Sequence, residues 1–497
     1  MTITHVDLRR GAYHDSVTLL QVSRTVADVE GVEAAQVAMT TELNVEVLSG
    51  MGFEIPEAAG PNDLVVAIRA VDEDAVAAGL AAAAAALSAK AAPSGGFGDA
   101  PAPRTTSGAV RVGGAELALI SVPGRYATTE ALDAIGAGAS VMLFSDNVPV
   151  EDEVRLKDAA AAVDVLIMGP DCGTAVVGGV ALGFANVVEA GPMGLVAASG
   201  TGAQQIMCLL DAAGVGISHC LGVGGRDLKA AVGGRSTRQA LAALAADPAT
   251  SSIVVVSKPP DEAVLTDLEA YAAGLGLPVR WATLGAGRPD LTTALEAVLK
   301  AEGHDVPEWP KWLSDSDPEP GAGLGSLRGL FCGGTLADEA MLIAAESLGD
   351  IRSNIPLRDD LALGSGLTHD GHLVIDFGDD GLTQGRAHPM IDPTLRMERI
   401  AAEAQDPTCG ALLLDLVLGF GAHQDPAGEL ADAIRAAKGA ARDSGRELPV
   451  VVSLTGTKGD PQGFAATAQT LSGAGASVFL SNRDATRHAL TFLGGAR

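Results

Sequence analysis

Leu195-Val196-Ala197-Ala198-Ser199-Gly200-Thr201-Gly202-Ala203-Gln204-Gln205 reads as an apolar strand that ends in small residues and opens into a helix. Leu330-Phe331-Cys332-Gly333-Gly334-Thr335-Leu336-Ala337-Asp338-Glu339-Ala340 repeats the design. Small residues at such a turn let backbone approach a ligand closely, and the free N–H groups and positive dipole end of the helix attract an anion. Two phosphate or carboxylate sites are therefore expected, one on Ser199, Gly200, Thr201 and Gly202 and one on Gly333, Gly334 and Thr335. The plain alternative is that any α/β protein needs small residues where strands turn into helices.

The chain has 497 residues, more than one hydrophobic core supports, so three or four domains are expected. A net charge of −29 leaves no basic surface for phosphate backbones, which excludes nucleic acid and anionic membranes as partners and keeps the chain soluble. The five cysteines show no CxxC spacing and read as reduced thiols, without a disulfide or zinc framework; no metal is expected. The amino terminus carries no apolar signal-peptide core. Ala190 to Leu210 is uncharged, but its Gly, Pro, Gln, Ser and Thr residues exclude a spanning helix, and a cytoplasmic protein is expected.

Residues 1–90 read as a small α/β domain with strands near 6–13, 34–40 and 64–70 and an Ala-rich helix over 72–89. Pro, Gly, Ser and Thr mark 91–108 as a linker. From 109 to 190 apolar strands alternate with amphipathic helices, which predicts a Rossmann-like domain with a parallel sheet covered on both faces. Ligands bind beyond the carboxyl ends of such strands. Those ends are Val122-Pro123-Gly124-Arg125, Ser145-Asp146-Asn147 and Gly169-Pro170-Asp171-Cys172-Gly173-Thr174. A second, flavodoxin-like unit covers 191–305 and holds Gly222-Val223-Gly224-Gly225-Arg226-Asp227 and Ser257-Lys258-Pro259-Pro260. A proline-rich acidic linker is expected over 306–325, and a third α/β unit, again flavodoxin-like, over 326–497.

The order of Gly169-Pro170-Asp171-Cys172, Gly194-Leu195-Val196, Ser199-Gly200-Thr201, the Gly222 to Asp227 loop and Asp247-Pro248-Ala249-Thr250 resembles the α subunit of succinyl-CoA synthetase. Leu413-Leu414-Asp415 and Pro449 to Thr457 resemble the ligase domain of that enzyme's β subunit. The FdrA family fuses these pieces, and the chain from about Val110 onward is similar to it through Gly169 to Ala175, Ser257 to Pro260, Cys332 to Leu336, Ala387-His388-Pro389-Met390-Ile391-Asp392-Pro393 and Gly456 to Gln462. Two departures matter. The synthetases carry phosphate on a histidine in Gly-His-Ala-Gly, where this chain has Gly285-Ala286-Gly287-Arg288-Pro289, and the ATP-grasp domain that should precede the last ligase domain is replaced by the linker over 306–325. The resemblance implies a subunit of an oxamate carbamoyltransferase-like enzyme of purine and allantoin breakdown. That enzyme takes oxalurate and phosphate to oxamate and carbamoyl phosphate together with two partner proteins. The alternatives are an acyl-CoA synthetase component that uses CoA and borrows ATP from an ATP-grasp partner, and a non-catalytic scaffold binding CoA or nucleotide. A homo-oligomer and a small anionic substrate fit each of these.

His388, among Arg386, Pro389 and Asp392, is a candidate proton relay or phosphoryl acceptor, against a structural histidine bonded to backbone. Lys258 ends a buried strand and is placed for an anionic ligand. Arg226 is read as an anion clamp rather than as half of a salt bridge. The binding turn is expected to use Asn147, Asp171, Cys172, Gly173, Thr174, Gly224 and Gly225. A helix N-terminus lowers a thiol pKa, so Cys172 and Cys332 are also weighed as nucleophiles, although the resemblance implies only a tight turn for Cys172. His369 and His372 lack a third metal ligand nearby, and Asp415 and Asp460 lack a carboxylate partner at a defensible spacing.

Overall fold

The computed structural model describes residues 2–12, 14, 16–56, 59–60, 62–88, 103–322, 324–383 and 387–494. These form two compact units, one from 1–102 with 381–391 and the other from 103–380 with 392–497.

The smaller unit centres on the Leu64–Ala70 strand, which pairs antiparallel with Ile3–Arg9 on one side and Val32–Met39 on the other. Its alternation is buried on both faces: Leu64, Val66 and Ile68 pack on the helices Ser16–Ala27 and Glu73–Ser88, while Val65 and Ala67 pack on Leu48 and Phe53. Strand Ile3–Arg9 stops short of the expected position 13, and Gly11 there has φ +64°. Tyr13 lies outside the described residues, as do positions 91–102 of the expected linker. The end of that linker is helical. Thr105 caps the helix Thr106–Gly113 by accepting from Gly108 N.

The larger unit is built on three sheets. Leu117–Ile120, Ser140–Leu143 and Ile167–Met168 form a small parallel sheet. The expected domain boundary at 190 is corrected here, because the chain changes sheets sooner. Thr174–Val177 and Val180–Gly183 form a hairpin that pairs with Ile217–Gly222 of the next sheet. Its two-residue turn is Gly178-Gly179, both at positive φ, the geometry that matches strand twist.

Four parallel strands continue that second sheet in the order Val279–Thr283, Ser252–Ser257, Ala190–Ala198, Ile217–Gly222. The third sheet places Ala476–Phe479, Val450–Thr455, Cys409–Val417, Ser326–Phe331 and Leu373–Asp376 in parallel order, followed by Arg352–Ser353. In the second sheet Ala190–Ala198 lies between Ile217–Gly222 and Ser252–Ser257, and in the third Ser326–Phe331 likewise lies between Leu373–Asp376 and Cys409–Val417, with the short Arg352–Ser353 at the edge. This is the flavodoxin-like order, whose ligand crevice opens where the first and third strands part. Ser199 follows Ala190–Ala198 of one sheet and Cys332 follows Ser326–Phe331 of the other.

The expected linker over 306–325 is also corrected. Lys311–Trp312 adds antiparallel to Ala476–Phe479, Trp309 is buried with its indole N–H on Glu296, and Asp317 receives Ser477 Oγ and pairs with His488. A strap with a buried aromatic anchor and strand pairing is structure, which Pro and Gly content alone does not reveal. The two flavodoxin-like halves share a buried polar seam. Gln205 donates to Leu480 O, Gln204 to Leu418 O, and Leu291 N to Glu339 Oε1. Each buried amide is thereby supplied with a partner from the opposite half.

Candidate functional site

Ser199 is the extended residue before the helix Gly200–Ala212, and its Oγ accepts from Gly202 N at 2.9 Å, closing the first turn. The same Oγ lies 2.6 Å from Oγ1 of Thr335, in the first turn of the helix Gly334–Leu348. The two glycine-rich turns therefore meet. The two turns expected to bind anions thus face one junction at which two helix N-termini converge. Glycine makes the approach possible: a Cβ on Gly333 would stand 2.8 Å from Thr201 Cγ2, and one on Gly202 would stand 3.0 Å from Thr335 Cγ2. Gly200, Thr201 and Gly334 remain partly open to solvent, and Gly333 provides no side-chain cap, so N–H groups of the second helix are left for a ligand.

Charged groups sit directly at this junction. A Cβ on Gly334 would be 2.8 Å from Lys258 Nζ and 2.7 Å from Asp376 Oδ2. Burial works against the Lys258 ammonium, but the carboxylates of Asp338, Asp376, Asp171 and Asp379 outweigh it and hold the lysine charged. Asp376 closes its strand with Oδ1 accepting from Gly378 N, and Asn354 clips its backbone on both sides. Burial pushes Asp376 up to about 7 against the pull of Lys258. Asp338, one turn into the second helix, is pushed up to about 6 by burial, opposed by Lys258 and Lys229. Asp376 and Asp338 escaped the sequence reading. An acid ending the apolar run Leu373-Val374-Ile375 was the signal that could have found the first.

The Asp171 to Thr174 turn reaches the start of the first helix, since a Cβ on Gly200 would lie 3.3 Å from Thr174 Oγ1. Asp171 has φ +57° and is exposed, and a Cβ on Gly225 would lie 3.8 Å from its Oδ2. Gly224, at φ +89°, backs onto Pro170 O, where a Cβ would stand at 2.5 Å. Gly173 is half-buried beside Phe184. Asn147, also at positive φ, is exposed and lends its carbonyl to close contact with Gly124.

Three expectations change. Arg226 is not a free clamp: its Nη2 pairs with buried Glu153 at 2.9 Å and donates to Val148 O, while Asp227 is buried against Lys157 and Thr237. Cys172 is 2% exposed, donates Sγ to Thr174 O, and has its thiol pushed far up by burial, which excludes a thiolate nucleophile. Cys332 is equally buried, with Sγ 3.2 Å from Asp415 Oδ1, and burial together with Asp415 pushes its thiol well up. Asp415 in turn holds Arg396 at 2.7 Å. Asp460 is a tie, receiving Val187 N, Asn186 Nδ2 and Thr457 N. His372 accepts from Leu327 N, and no group of three His, Cys, Asp or Glu residues able to hold a metal occurs among the described residues. His388 belongs to the smaller unit, where its Nδ1 accepts from Met390 N at 3.3 Å and its carbonyl from Ile391 N.

Residues 1–103 match the family described as AllF, heavy metal-associated domain, and residues 330–492 match the CoA-ligase family. YahF of Escherichia coli (strain K12) is 38% identical over 490 residues, covering 94% of each chain. The ADP-forming succinate–CoA ligase α subunit of Aquifex aeolicus (strain VF5) is 28% identical over 164 residues, 32% of this chain and 52% of that subunit. Its counterpart, α subunit 1 of Archaeoglobus fulgidus, is 32% identical over 129 residues, 25% of this chain and 44% of that subunit. The chain thus spans about half the length of these α subunits. The name of the amino-terminal family implies a soft metal, but residues 1–103 contain no cysteine. They do not fit a thiolate-bound ion.

Proposed function

The chain belongs to the YahF family of succinyl-CoA-synthetase-like proteins, and from that premise we propose that it is the acyl-transfer subunit of a CoA-ligase-type enzyme. An acyl phosphate sits where the two helix N-termini meet. The observation that carries this reading is the Ser199–Thr335 contact with Lys258 beside it, which concentrates two positive dipole ends and one ammonium on a single spot. Attack on an acyl phosphate builds charge on the carbonyl and phosphate oxygens, and fixed N–H donors stabilise that charge without reorganising. The chain's own thiols at this junction are buried and protonated, so the nucleophile is brought in by the acceptor, with CoA as the thiol. The 109–190 segment is the proposed CoA-binding part, and nucleotide chemistry is assigned to an ATP-grasp partner. His388 takes no step in this scheme.

One observation favours a second reading, in which the acyl phosphate is carbamoyl phosphate and the chain works with two transferase partners. No histidine occupies Gly285-Ala286-Gly287-Arg288-Pro289, and Arg288 there pairs with Glu262. Transfer from carbamoyl phosphate needs no phosphohistidine. The test is nucleotide-free phosphate release by the full chain from acetyl, succinyl or carbamoyl phosphate, with CoA or oxamate as acceptor. CoA-dependent thioester formation supports the first reading, and carbamoyl phosphate consumed only with oxamate replaces it with the second. No release from any of them by the chain alone would overturn the first reading, and no carbamoyl phosphate consumed with oxamate when the transferase partners are present would overturn the second.

A further inference from the structure

We infer that Asp376 is the carboxylate that moves the proton during acyl transfer at this junction. The inference rests on the acyl-phosphate reading above and names a residue that neither the sequence motifs nor the resemblance singled out.

Asp376 is 4% exposed, and its position is over-determined. Its strand places it beside Phe331, the last residue before the Cys332-Gly333-Gly334 turn. Asn354 holds its backbone N–H and carbonyl at 2.9 Å each, and Gly378 N fixes Oδ1 at 2.9 Å. Oδ2 is thereby turned towards the open first residue of the second helix, where only a glycine leaves room for it. Lys258 Nζ lies on the same spot. One position therefore combines helix N–H donors and an ammonium, which suit the phosphate, with a fixed carboxylate oxygen, which suits a proton on an attacking atom. A carboxylate would be a poor choice if the site had only to hold an anion.

The step balances. The S–H or N–H of the acceptor gives its proton to Asp376 Oδ2 as the sulfur or nitrogen forms its bond to the carbonyl carbon. The carbon–oxygen bond to phosphate breaks with its electron pair leaving on phosphate, and the proton then passes from Asp376 to that phosphate. No oxidant, reductant or metal is consumed. The charged groups acting on Asp376 are Lys258 from the neighbouring sheet and Asp415 and Asp379 from its own, with Asp338 acting on Lys258 from the second helix. Lys258 opposes the others and keeps the carboxylate available near neutrality, where a base is most useful.

The test is the pH dependence of transfer from acetyl phosphate in the full chain, comparing wild type with Asp376→Asn and Asp376→Glu. The wild-type rate should rise with pH along an acidic limb. Asp376→Asn should lose that limb and fall in kcat by about 100-fold or more, with KM for acetyl phosphate changed by less than about threefold. Asp376→Glu should restore the limb in part. If Asp376→Asn retains both rate and limb while wild type turns over, Asp376 is not the proton carrier and the acyl-phosphate reading stands. If wild type neither binds nor turns over acetyl, succinyl or carbamoyl phosphate, the reading itself falls and the inference with it. If Asp376→Asn fails to fold, the Glu variant decides: a limb displaced from the wild-type position supports the inference, and one left in place overturns it.

Discussion

Ser199 Oγ and Thr335 Oγ1 lie 2.6 Å apart although 136 residues separate them in the chain. Ser199 caps the helix that leaves Ala190–Ala198 and Thr335 lies in the first turn of the helix that leaves Ser326–Phe331, so one hydrogen bond joins the strand-to-helix turns of two flavodoxin-like halves. Both residues are buried, and Ser199 also caps its helix.

Ser199→Ala should cost about 1 kcal/mol for the lost cap alone. Because the hydroxyl also meets Thr335, Ser199→Ala and Thr335→Val should be non-additive, with a coupling of about 0.5–3 kcal/mol in a denaturation cycle. Additive effects would mean that the contact contributes nothing.

Beneath the second turn, Asp415 accepts Cys332 N at 2.8 Å and pairs with Arg396 at 2.7 Å, both side chains being 2% exposed or less. Asp415→Ala leaves a buried guanidinium uncompensated and should cost about 3–5 kcal/mol. Asp406→Ala is the comparison, since Arg328 keeps Glu403 there and Asp406 is 31% exposed. Its cost should be clearly smaller in the same denaturant series.

Stability should fall as pH rises through neutrality. Glu339 is fully buried between Leu291 N and Asn482 Nδ2, and burial raises it to about 7 from an ordinary value of 4.5. A raised carboxyl stabilises the fold fully below its unfolded pKa, and that contribution is lost as pH climbs through the folded value. Between about pH 5 and about pH 8 the wild type should lose more stability than Glu339→Gln. Equal slopes would show that Glu339 does not titrate with folding.

Zinc or cadmium added to the full chain should give no thiolate-to-metal charge-transfer absorption, because residues 1–103 lack cysteine and the five cysteines elsewhere are buried. A band appearing at one equivalent would reverse the view taken of the amino-terminal domain.

Elements carried by a local period were legible in the sequence. Helix Val150–Ala162 and strand Leu64–Ala70 fall where their apolar spacing put them, because periodicity is a property of adjacent residues. Choices between distant partners were not. The 174–183 hairpin joins a sheet other than the one that precedes it, and Arg226 finds Glu153 rather than an open cleft. Lys311–Trp312 pairs with a strand from the far end of the chain. Both glycine-rich turns could be read as helix starts, but nothing in either stretch encodes that they face each other, since that depends on how two sheets pack. Asp376 was hidden for the same reason: it is remote in sequence from the turn it adjoins.

The most direct test of the central claim is the stoichiometry of inorganic phosphate binding to the full chain, measured calorimetrically for wild type, Gly200→Ala and Gly334→Ala. Neither glycine has a positive φ, so backbone strain opposes alanine at neither: Gly200→Ala should change stability by about 1 kcal/mol or less, while Gly334→Ala, whose Cβ would stand 2.7 Å from Asp376 Oδ2, should cost about 1–3 kcal/mol. A Cβ at Gly334 would displace Lys258 and Asp376, and one at Gly200 would press on Thr174. Two helix ends sharing one ligand predict a single site per chain that both variants weaken. Two independent sites, each lost in only one variant, would contradict the shared junction, as would normal binding in both.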